Sequence, residues 1–256
     1  MQKRESMENK INKKEKRAII IGATSGIGQE VARLLLAEGW QLGIAGRREE
    51  NLKAFQQLAP ERIHIEVLDI CQEGAEKKLE SLIQKVGGMD LYFHASGIGK
   101  QNKLLTPEIE IKTLQTNGTG FIRMVTHAFN YFTEQGKGHL AVISSIAGTK
   151  GLGIAPAYSA SKRFQNTYID ALEQLAHINK KDIQFTDIRP GFVATDLLNG
   201  GKNYPMLMKK EDVAREIVKG LKKKKRVLVV DWRYRWLVAF WKLIPNWLWK
   251  YLPVYN

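Results

Sequence analysis

Residues 17–28 have the sequence Arg-Ala-Ile-Ile-Ile-Gly-Ala-Thr-Ser-Gly-Ile-Gly. The first five residues form a short, β-branched apolar run, which is typical of a strand buried in a parallel sheet. A run with apolar residues at helical spacing follows at 27–38, and Gly39 supplies a helix stop. The segment therefore predicts a strand, a glycine-rich turn and a helix in direct succession.

The same alternation continues along the chain. The further predicted strands are 41–45, 63–68, 91–94, 139–143, 183–188 and 226–230. The longest predicted helices are 107–132, weakened in its middle by Asn117, Gly118 and Gly120, and 157–178. Strands that alternate with helices favour a parallel sheet covered on both faces. We therefore predict an α/β fold, a Rossmann-type doubly wound parallel sheet with three α/β/α layers, as a single domain over 17–230.

The charge of the chain is concentrated at its ends. The net charge is +14, of which residues 1–17 carry +4 and residues 219–256 carry +9, while 18–218 hold 23 basic against 22 acidic residues. A neutral body argues against a nucleic-acid partner, whose groove would carry basic residues across the domain. Residues 1–16 are polar and lack an apolar core segment, so we expect a basic disordered tail, no secretion signal and a cytoplasmic protein. The single cysteine, Cys71, excludes an internal disulfide, and we expect no metal site.

The glycines between the first strand and first helix indicate a phosphate-binding loop. They permit a tight turn and a close approach of the backbone to a pyrophosphate, and the helix N-terminus offers unpaired N–H groups. Turns need glycine for other reasons, but this loop lies at the strand-to-helix junction where a dinucleotide fingerprint belongs.

Tyr158 and Lys162 are four positions apart on a predicted helix, so their side chains are neighbours on one face. A tyrosine titrates near ~10 and needs a nearby cation to act in proton transfer at neutral pH. Lys162 would favour the phenolate and lower the pKa of Tyr158. The alternative is a packed ring with a solvated amine above it.

Six motifs follow one another along the chain. They are Gly22-x-x-x-Gly26-x-Gly28, His94-Ala95-Ser96-Gly97, Asn117, Ser144-Ser145-Ile146-Ala147-Gly148, Tyr158-x-x-x-Lys162 and Pro190-Gly191-x-Val193-x-Thr195. In this order they resemble the single-domain branch of the short-chain dehydrogenase/reductase family. The resemblance covers about residues 17–230 and departs from the family pattern at Ile21, His94 and Ala95.

The resemblance implies hydride transfer between a nicotinamide and a carbonyl or alcohol. It assigns proton donation to Tyr158, a second hydrogen bond to the reacting oxygen to Ser145, and a water-holding role to Asn117. Lys162 would lower the pKa of Tyr158 and hold the ribose. The family places its catalytic serine three residues before a glycine, here Gly148, so the resemblance selects Ser145 over Ser144. His94 as a catalytic acid is an alternative to a structural histidine.

The end of the second predicted strand bears on the choice of nicotinamide. No acidic residue stands at Gly46, and Arg47 and Arg48 follow, which favours the 2′-phosphate of NADP(H) over NAD(H). A solvated loop arginine is the alternative. Asp69 either contacts adenine together with Ile70 or caps the helix beyond. The predicted cofactor-binding residues are Gly22, Thr24, Ser25, Gly26, Ile27, Gly28, Arg47, Arg48, Asp69, Ile70, Ala95, Gly97, Tyr158, Lys162, Pro190, Gly191, Val193 and Thr195.

Residues 192–208, called the substrate loop below, lie where the family closes over its substrate. Their apolar composition indicates a lipophilic ketone, and by analogy a 3-keto sphingoid base or another 3-oxo lipid ranks ahead of a steroid. The alternatives are a hydroxysteroid dehydrogenase and a non-catalytic NADP(H)-binding sensor or scaffold. A binder without turnover has no need of Ser145 and Tyr158. The family usually pairs through its long helices, so we expect a homodimer or homotetramer.

Residues 231–256, called the tail below, hold five of the six tryptophans and follow a polybasic run at 222–226. The uninterrupted apolar run is far shorter than the ~20 residues that span a membrane. Interleaved tryptophan and basic residues instead suit an amphipathic helix at a membrane surface, which Pro245 would end. The alternatives are a cover for an apolar patch of the same chain and a subunit interface. We expect removal of 232–256 to leave a folded domain.

Overall fold

The computed structural model describes residues 15–198, 204–252 and 254. Its centre is a seven-stranded sheet in the order β3-β2-β1-β4-β5-β6-β9, in which every neighbouring pair is parallel. The strands of this sheet are β1 (Arg17–Ile21), β2 (Gln41–Gly46), β3 (Ile63–Val67), β4 (Leu91–His94), β5 (Lys137–Ile143), β6 (Asp182–Arg189) and β9 (Val227–Val229). The predicted α/β class and all seven predicted strands are confirmed, with ends that differ by at most two residues.

Helices cover both faces of the sheet. They are α1 (Gly26–Ala37), α2 (Glu49–Gln56), α3 (Ala75–Val86), α4 (Pro107–Leu114), α5 (Phe121–Gln135), α6 (Pro156–Ile178), α7 (Lys210–Lys222), α8 (Trp232–Leu243) and α9 (Asn246–Trp249). The strand order reverses between β1 and β4, so the carboxyl ends of these two strands border a crevice. Ligands of open parallel sheets bind at such a switch point.

The core lies in two layers, one on each face of the sheet. Successive side chains of a strand point to opposite faces, and in β1 Ala18 and Ile20 join one apolar cluster while Ile19 and Ile21 join the other. All four side chains are fully buried. The continuous apolar run that predicted the strand is thus explained by a sheet that is buried on both faces.

The predicted helix 107–132 is interrupted where the sequence weakens it. Residues Gln115–Gly120 form a π-helical turn between α4 and α5. Gly120 lies against Ile70, since a Cβ atom there would come within 2.9 Å of that side chain. The turn holds Asn117, which is fully buried. A local widening of the helix therefore places a polar side chain inside the protein.

Two short strands hold the ends of the substrate loop. β7 (Val193–Ala194) pairs in parallel with β8 (Met208–Lys209), and a 3-10 turn, Asp196–Leu198, follows β7. The stretch 199–203 of this loop lies outside the described residues, as do residues 1–14 of the predicted basic tail.

Helix α8 presents two apolar faces. Tyr234 and Val238 are buried in the core cluster that contains Val193 and Met208, so the helix covers part of the same chain. Removal of 232–256 would take these two core side chains with it, so the predicted folding of the truncated domain would have to do without their burial. The helix ends at Leu243, ahead of Pro245, as the sequence predicts.

The opposite face of α8 is exposed. Trp232, Trp236, Phe240 and Leu243 lie at positions i, i+4, i+8 and i+11, which form a single helical stripe, and Trp236 is 73% exposed. This set of four side chains is called the outer stripe below. Lys150 fixes the end of the helix, because its ammonium donates to the backbone oxygen of Ile244 at 2.7 Å.

Candidate active site

Two glycines shape the loop after β1. Gly22 adopts a φ of +91°, and a Cβ atom there would come within 2.7 Å of the backbone nitrogen of Ser96. A Cβ atom on Gly28 would lie 2.3 Å from the backbone oxygen of Gly22. Helix α1 can therefore begin directly beside the strand end, with the unpaired N–H groups of its first turn facing the crevice. This geometry fits a pyrophosphate.

Arg48 is the arginine that lies at this loop. Its guanidinium donates to the Thr24 hydroxyl at 3.1 and 3.2 Å and to the Ser25 hydroxyl, and it pairs with Asp196 at 3.3 Å. Arg47 is exposed and makes no hydrogen bond or ion pair to another described residue. Of the two predicted arginines, only Arg48 contacts this loop in the described part of the chain. A 2′-phosphate beside Thr24 and Ser25 would therefore lie next to Arg48.

The end of β2 leaves no room for a carboxylate. A Cβ atom on Gly46 would lie 2.6 Å from the methyl group of Thr24. An acidic side chain that binds a ribose 2′-hydroxyl therefore has no place at this position.

Asp69 and Ile70 border the crevice after β3. The Asp69 carboxylate accepts a hydrogen bond from the backbone nitrogen of Cys71 at 3.0 Å, which closes a local turn. The N-cap of α3 is Gly74, so the alternative that Asp69 caps this helix is wrong. The backbone oxygen of Ile70 accepts from Arg123 at 2.9 Å. The Ile70 side chain is buried and lies against Gly120, where it can form an apolar wall of the crevice.

Ser145 and Tyr158 meet at the carboxyl end of β5. The hydroxyl of Ser145 accepts from the backbone nitrogen of Ala147 at 3.1 Å and is hydrogen-bonded to Tyr158. The ring of Tyr158 lies on Gly99, where a Cβ atom would come within 2.8 Å of it. Gly99 was not predicted as a site residue, because only the folded chain shows that the tyrosine ring needs this space.

Lys162 lies beneath the tyrosine ring. Its ammonium is 5.8 Å from the ring centroid of Tyr158 and donates to the backbone oxygen of Ile143 at 3.1 Å. Burial lowers the pKa of Lys162 from 10.5 to about 8, and the attraction of Asp187 opposes that decrease. Burial raises the pKa of Tyr158, and the hydrogen bond with Ser145 offsets part of the rise. The prediction that Lys162 lowers the pKa of Tyr158 is therefore wrong for this structure, because burial disfavours the phenolate and raises that pKa.

Asn117 is fixed by the chain segment that follows β4. Its side-chain oxygen accepts from the backbone nitrogen of Ile98 at 2.9 Å, and its side-chain nitrogen donates to the backbone oxygen of Ile98 at 2.7 Å. Its own backbone oxygen accepts from Gln165 at 2.9 Å. A Cβ atom on Gly97 would lie 3.2 Å from the Asn117 side-chain oxygen and 3.5 Å from the Lys162 ammonium. The glycine therefore lets both polar groups approach the backbone.

His94 is buried beside this group. Its Nδ1 atom is 2.9 Å from the Tyr92 hydroxyl. Burial, together with the positive charge of Lys162, lowers the pKa of His94 to about 3. The imidazole is therefore neutral at neutral pH, which favours the structural histidine over the catalytic acid.

Ser144 points away from Tyr158 into a buried polar network. Its hydroxyl donates to Asp187, whose carboxylate also accepts from Asn166 at 2.8 Å and from Arg189 at 2.8 Å. Asp187 is fully buried. The sequence did not single out this network, since its members come from the segment after β5, from β6 and from α6. It supports the choice of Ser145, because Ser144 is already committed to Asp187.

The predicted motif Pro190-Gly191-x-Val193-x-Thr195 joins the site to the tail. The backbone oxygen of Pro190 accepts from Ile146 at 3.1 Å, next to Ser145. A Cβ atom on Gly191 would lie 2.1 Å from the ring of Tyr234, so the ring of the tail helix rests on this glycine. Thr195 approaches the phosphate loop, with its methyl group 3.4 Å from a Cβ atom built on Gly26.

Comparison with known proteins places this arrangement in a family. The family described as short chain dehydrogenase matches residues 16–203. An uncharacterized oxidoreductase of Myxococcus xanthus (strain DK1622) is 30% identical over 237 residues, which cover 90% of this chain and 92% of that protein. Dehydrogenase/reductase SDR family member 7B of Bos taurus is 30% identical over 238 residues, covering 83% of this chain and 73% of that protein.

Solved structures share the fold. ElxO with NADP bound superposes with a TM-score of 0.75 at 23% identity, covering 86% of this chain and 99% of that chain. An actinorhodin polyketide ketoreductase with NADPH gives a TM-score of 0.73 at 23% identity, covering 84% of this chain and 95% of that chain. The chain therefore belongs to the short-chain dehydrogenase family of oxidoreductases.

Proposed function

We propose that the protein reduces a lipophilic ketone to a secondary alcohol with NADPH. The observation that carries the proposal is the contact of Tyr158 with Ser145 above the buried ammonium of Lys162. NADPH would supply the hydride. The phenol of Tyr158 donates a proton to the carbonyl oxygen, and the hydroxyl of Ser145 donates a second hydrogen bond where negative charge develops.

The charge of Lys162 supports this proton transfer. Desolvation raises the pKa of Tyr158, so the phenol keeps its proton until the substrate oxygen becomes strongly basic. The phenolate left after the transfer is then stabilised by the adjacent ammonium, since opposite charges within about 4–6 Å favour each other's charged form. Lys162 therefore acts on the product side of the proton transfer.

The preference for NADPH rests on Arg48 and Gly46. A guanidinium held beside two hydroxyls suits a phosphate, because its charge and fixed donors match phosphate oxygens. The exclusion of a side chain at Gly46 removes the acid that would select NAD. ElxO and the ketoreductase, which share this fold, were solved with NADP and NADPH. We assign the 2′-phosphate to Arg48.

A substrate panel tests the reaction and its substrate class. NADPH oxidation is followed for the wild type and for Tyr158→Phe with 3-keto sphingoid bases, other 3-oxo lipids, 3-ketosteroids and small ketones, with NADH as the second cofactor. We expect turnover of a 3-oxo lipid by the wild type alone. Turnover of steroids only would show that the substrate is a steroid and not a 3-oxo lipid. NADPH binding without turnover of any ketone would favour a non-catalytic NADP(H)-binding sensor.

We also propose that the tail lies on a membrane surface, at the cytoplasmic face. Within the part of the chain that the structure describes, no helix has the length and apolar character to cross a bilayer. The outer stripe of α8 is exposed, and Arg235 and Lys242 stand on the same helix. Aromatic rings at headgroup depth with adjacent cations suit an anionic leaflet.

Substitutions on the outer stripe test this proposal without removing core residues. Trp236→Glu combined with Phe240→Glu leaves the inner face of α8 unchanged. We expect the wild type to co-sediment with vesicles of mixed neutral and anionic lipid, and the double variant to remain in the supernatant. A control, Leu58→Glu, changes an exposed apolar residue far from the tail in sequence. Equal sedimentation of all three proteins would refute the membrane proposal.

The subunit proposal is a homodimer or homotetramer formed through the long helices. Ile111 and Leu114 on α4, Ile122 on α5 and Phe164 on α6 are exposed apolar side chains. Their burial against a second copy would remove apolar surface from water. Light scattering after gel filtration measures the mass, and Ile111→Glu combined with Phe164→Glu is expected to yield monomers.

A further inference from the structure

Gln165 places a buried amide between two residues of the proposed site. The ammonium of Lys162 donates to its side-chain oxygen at 3.0 Å, and its side-chain nitrogen donates to the backbone oxygen of Asn117 at 2.9 Å. Gln165 is fully buried. Both ends of the amide are thus occupied, and the group connects α6 to the π-helical turn.

This amide limits where the ammonium can lie. Lys162 has three N–H donors, and two of them are committed to the backbone oxygen of Ile143 and the side-chain oxygen of Gln165. Gln165 is itself held by Asn117, whose side chain is held by the backbone of Ile98. A buried ammonium needs such partners, because an unsatisfied charge in the interior is costly.

The amide also lacks the chemistry of a proton relay. Its nitrogen only donates and its oxygen only accepts, so a proton accepted from Lys162 could not be passed on to Asn117 without an unfavourable change of tautomer. A water molecule or a hydroxyl in the same place would both accept and donate. The side of Lys162 that faces Asn117 is therefore closed to proton exchange through Gln165.

We propose that Gln165 is a positioning residue, which clamps the Lys162 ammonium beneath Tyr158 and passes no proton to Asn117. The resemblance assigns a water to Asn117, whose backbone oxygen accepts a hydrogen bond from Gln165. The catalytic meaning of this clamp rests on the proposed reductase function. The contacts themselves do not depend on it.

Besides the neutral amide of Gln165, three titratable side chains interact with Lys162. Tyr158 lies on the same helix, His94 is at the end of β4, and Asp187 is on β6. Asp187 is paired with Arg189, and His94 is neutral at neutral pH. Gln165 itself is uncharged, so a substitution at this position changes the pKa of Lys162 without removing any of these three groups.

Two variants of Gln165 should move the titration of Lys162 in opposite directions. Gln165→Glu puts a carboxylate in contact with the ammonium, which raises the Lys162 pKa by about 1 to 3 pH units. Gln165→Met keeps the length of the side chain and removes the acceptor, so the ammonium loses a partner and its pKa falls. A loss of packing alone would not produce opposite shifts.

The first measurement is a ¹³C NMR titration of lysine side chains in the full chain, with Lys162 assigned by its absence from Lys162→Met. Gln135→Met is the matched control, since Gln135 donates to the backbone oxygens of Met89 and Lys137 away from the site. We expect opposite shifts in the two Gln165 variants and none in the control. Unchanged titration in both Gln165 variants would overturn the proposal. If Gln165→Met does not fold, the Lys162 pKa in Gln165→Glu is the test, and a pKa equal to that of the wild type would overturn the proposal.

The second measurement is the pH dependence of kcat/KM for ketone reduction. Loss of one hydrogen bond to a charged group predicts a decrease of about tenfold to a hundredfold in Gln165→Met at neutral pH. The alkaline limb should move to higher pH in Gln165→Glu and to lower pH in Gln165→Met. Wild-type limbs in both variants would contradict the clamp. A wild type that turns over no ketone would overturn the proposed function, and the NMR titration would still decide the role of Gln165.

Discussion

Replacing Tyr234 with phenylalanine removes the oxygen atom that joins the tail helix to both ends of the substrate loop. The backbone nitrogen of Phe192 donates to this hydroxyl at 3.1 Å, and the hydroxyl donates to the backbone oxygens of Pro205 at 3.0 Å and Met206 at 3.2 Å. The hydroxyl has one proton, so it forms two bonds at a time. The Tyr234 side chain is fully buried.

The expected loss follows from these bonds. A net hydrogen bond contributes about 0.5–1.5 kcal/mol, and a buried donor left unpaired costs about 1–3 kcal/mol. We therefore expect Tyr234→Phe to lower the free energy of unfolding by about 1–3 kcal/mol, measured by equilibrium unfolding in urea. Because the loop loses its attachment at both ends, KM for the ketone should rise more than kcat falls.

Tyr168→Phe is the control. It removes a hydroxyl that lies 2.6 Å from the Thr126 hydroxyl, between α5 and α6 and away from the substrate loop. This variant should lose about 0.5–1.5 kcal/mol and keep the wild-type KM. If Tyr234→Phe unfolds at the same urea concentration as the wild type and binds the ketone equally well, the Tyr234 hydroxyl does not hold the substrate loop.

Three further predictions concern cofactor choice, the buried network and pH. Arg48→Ala should weaken NADPH binding about tenfold or more and leave NADH binding unchanged, with a smaller effect of Arg47→Ala; calorimetry measures both. Asp187→Asn should cost about 3–5 kcal/mol of stability in urea unfolding, because its buried guanidinium partner loses its counter-charge; a loss below 1 kcal/mol would be inconsistent with that pairing. Burial lowers the pKa of His94 to about 3 and of His139 to about 4, both from 6.5, so the unfolded chain takes up protons first. Stability should therefore be present above pH 6.5 and fall as pH is lowered toward 4; a flat profile in urea unfolding over this range would contradict it.

Local sequence patterns were sufficient to predict the sheet and the glycine loop after β1. Residues that are close in the chain determine the β-branched run of β1, the turn glycines and the helical spacing of α1, so these elements can be predicted from the sequence. The interruption at Asn117 and the pairing of Tyr158 with Lys162 are equally local. The family pattern added Ser145, and the direction of Ser144 toward Asp187 supports that choice.

Contacts between distant segments were not predictable in the same way. Gln165 contacts Asn117 across 48 positions, and Tyr234 contacts Phe192 across 42. A glutamine in a helix and a tyrosine in a tail have no local signal for such partners. The choice of Arg48 over Arg47 depends on side-chain direction at the first residues after β2, which changes with each position.

The role of the tail could not be predicted from the sequence either. Apolar residues lie on two sides of α8 and leave no single polar face, so the sequence could not distinguish a helix that covers the same chain from a helix that faces a membrane. In the structure the two sides divide these roles, with Tyr234 and Val238 inside and the outer stripe exposed. The inner side belongs to the fold, and the outer side carries the membrane proposal.

In the proposed reaction, Tyr158 delivers a proton as hydride passes from NADPH to a ketone carbon. The most direct test uses NADPH deuterated at the transferred C4 position and mass spectrometry of the alcohol. We expect one deuterium on the carbinol carbon with the wild type, and a rate lower by about a hundredfold or more in Tyr158→Phe with NADPH affinity retained. An alcohol without deuterium, or a Tyr158→Phe rate equal to that of the wild type, would contradict it.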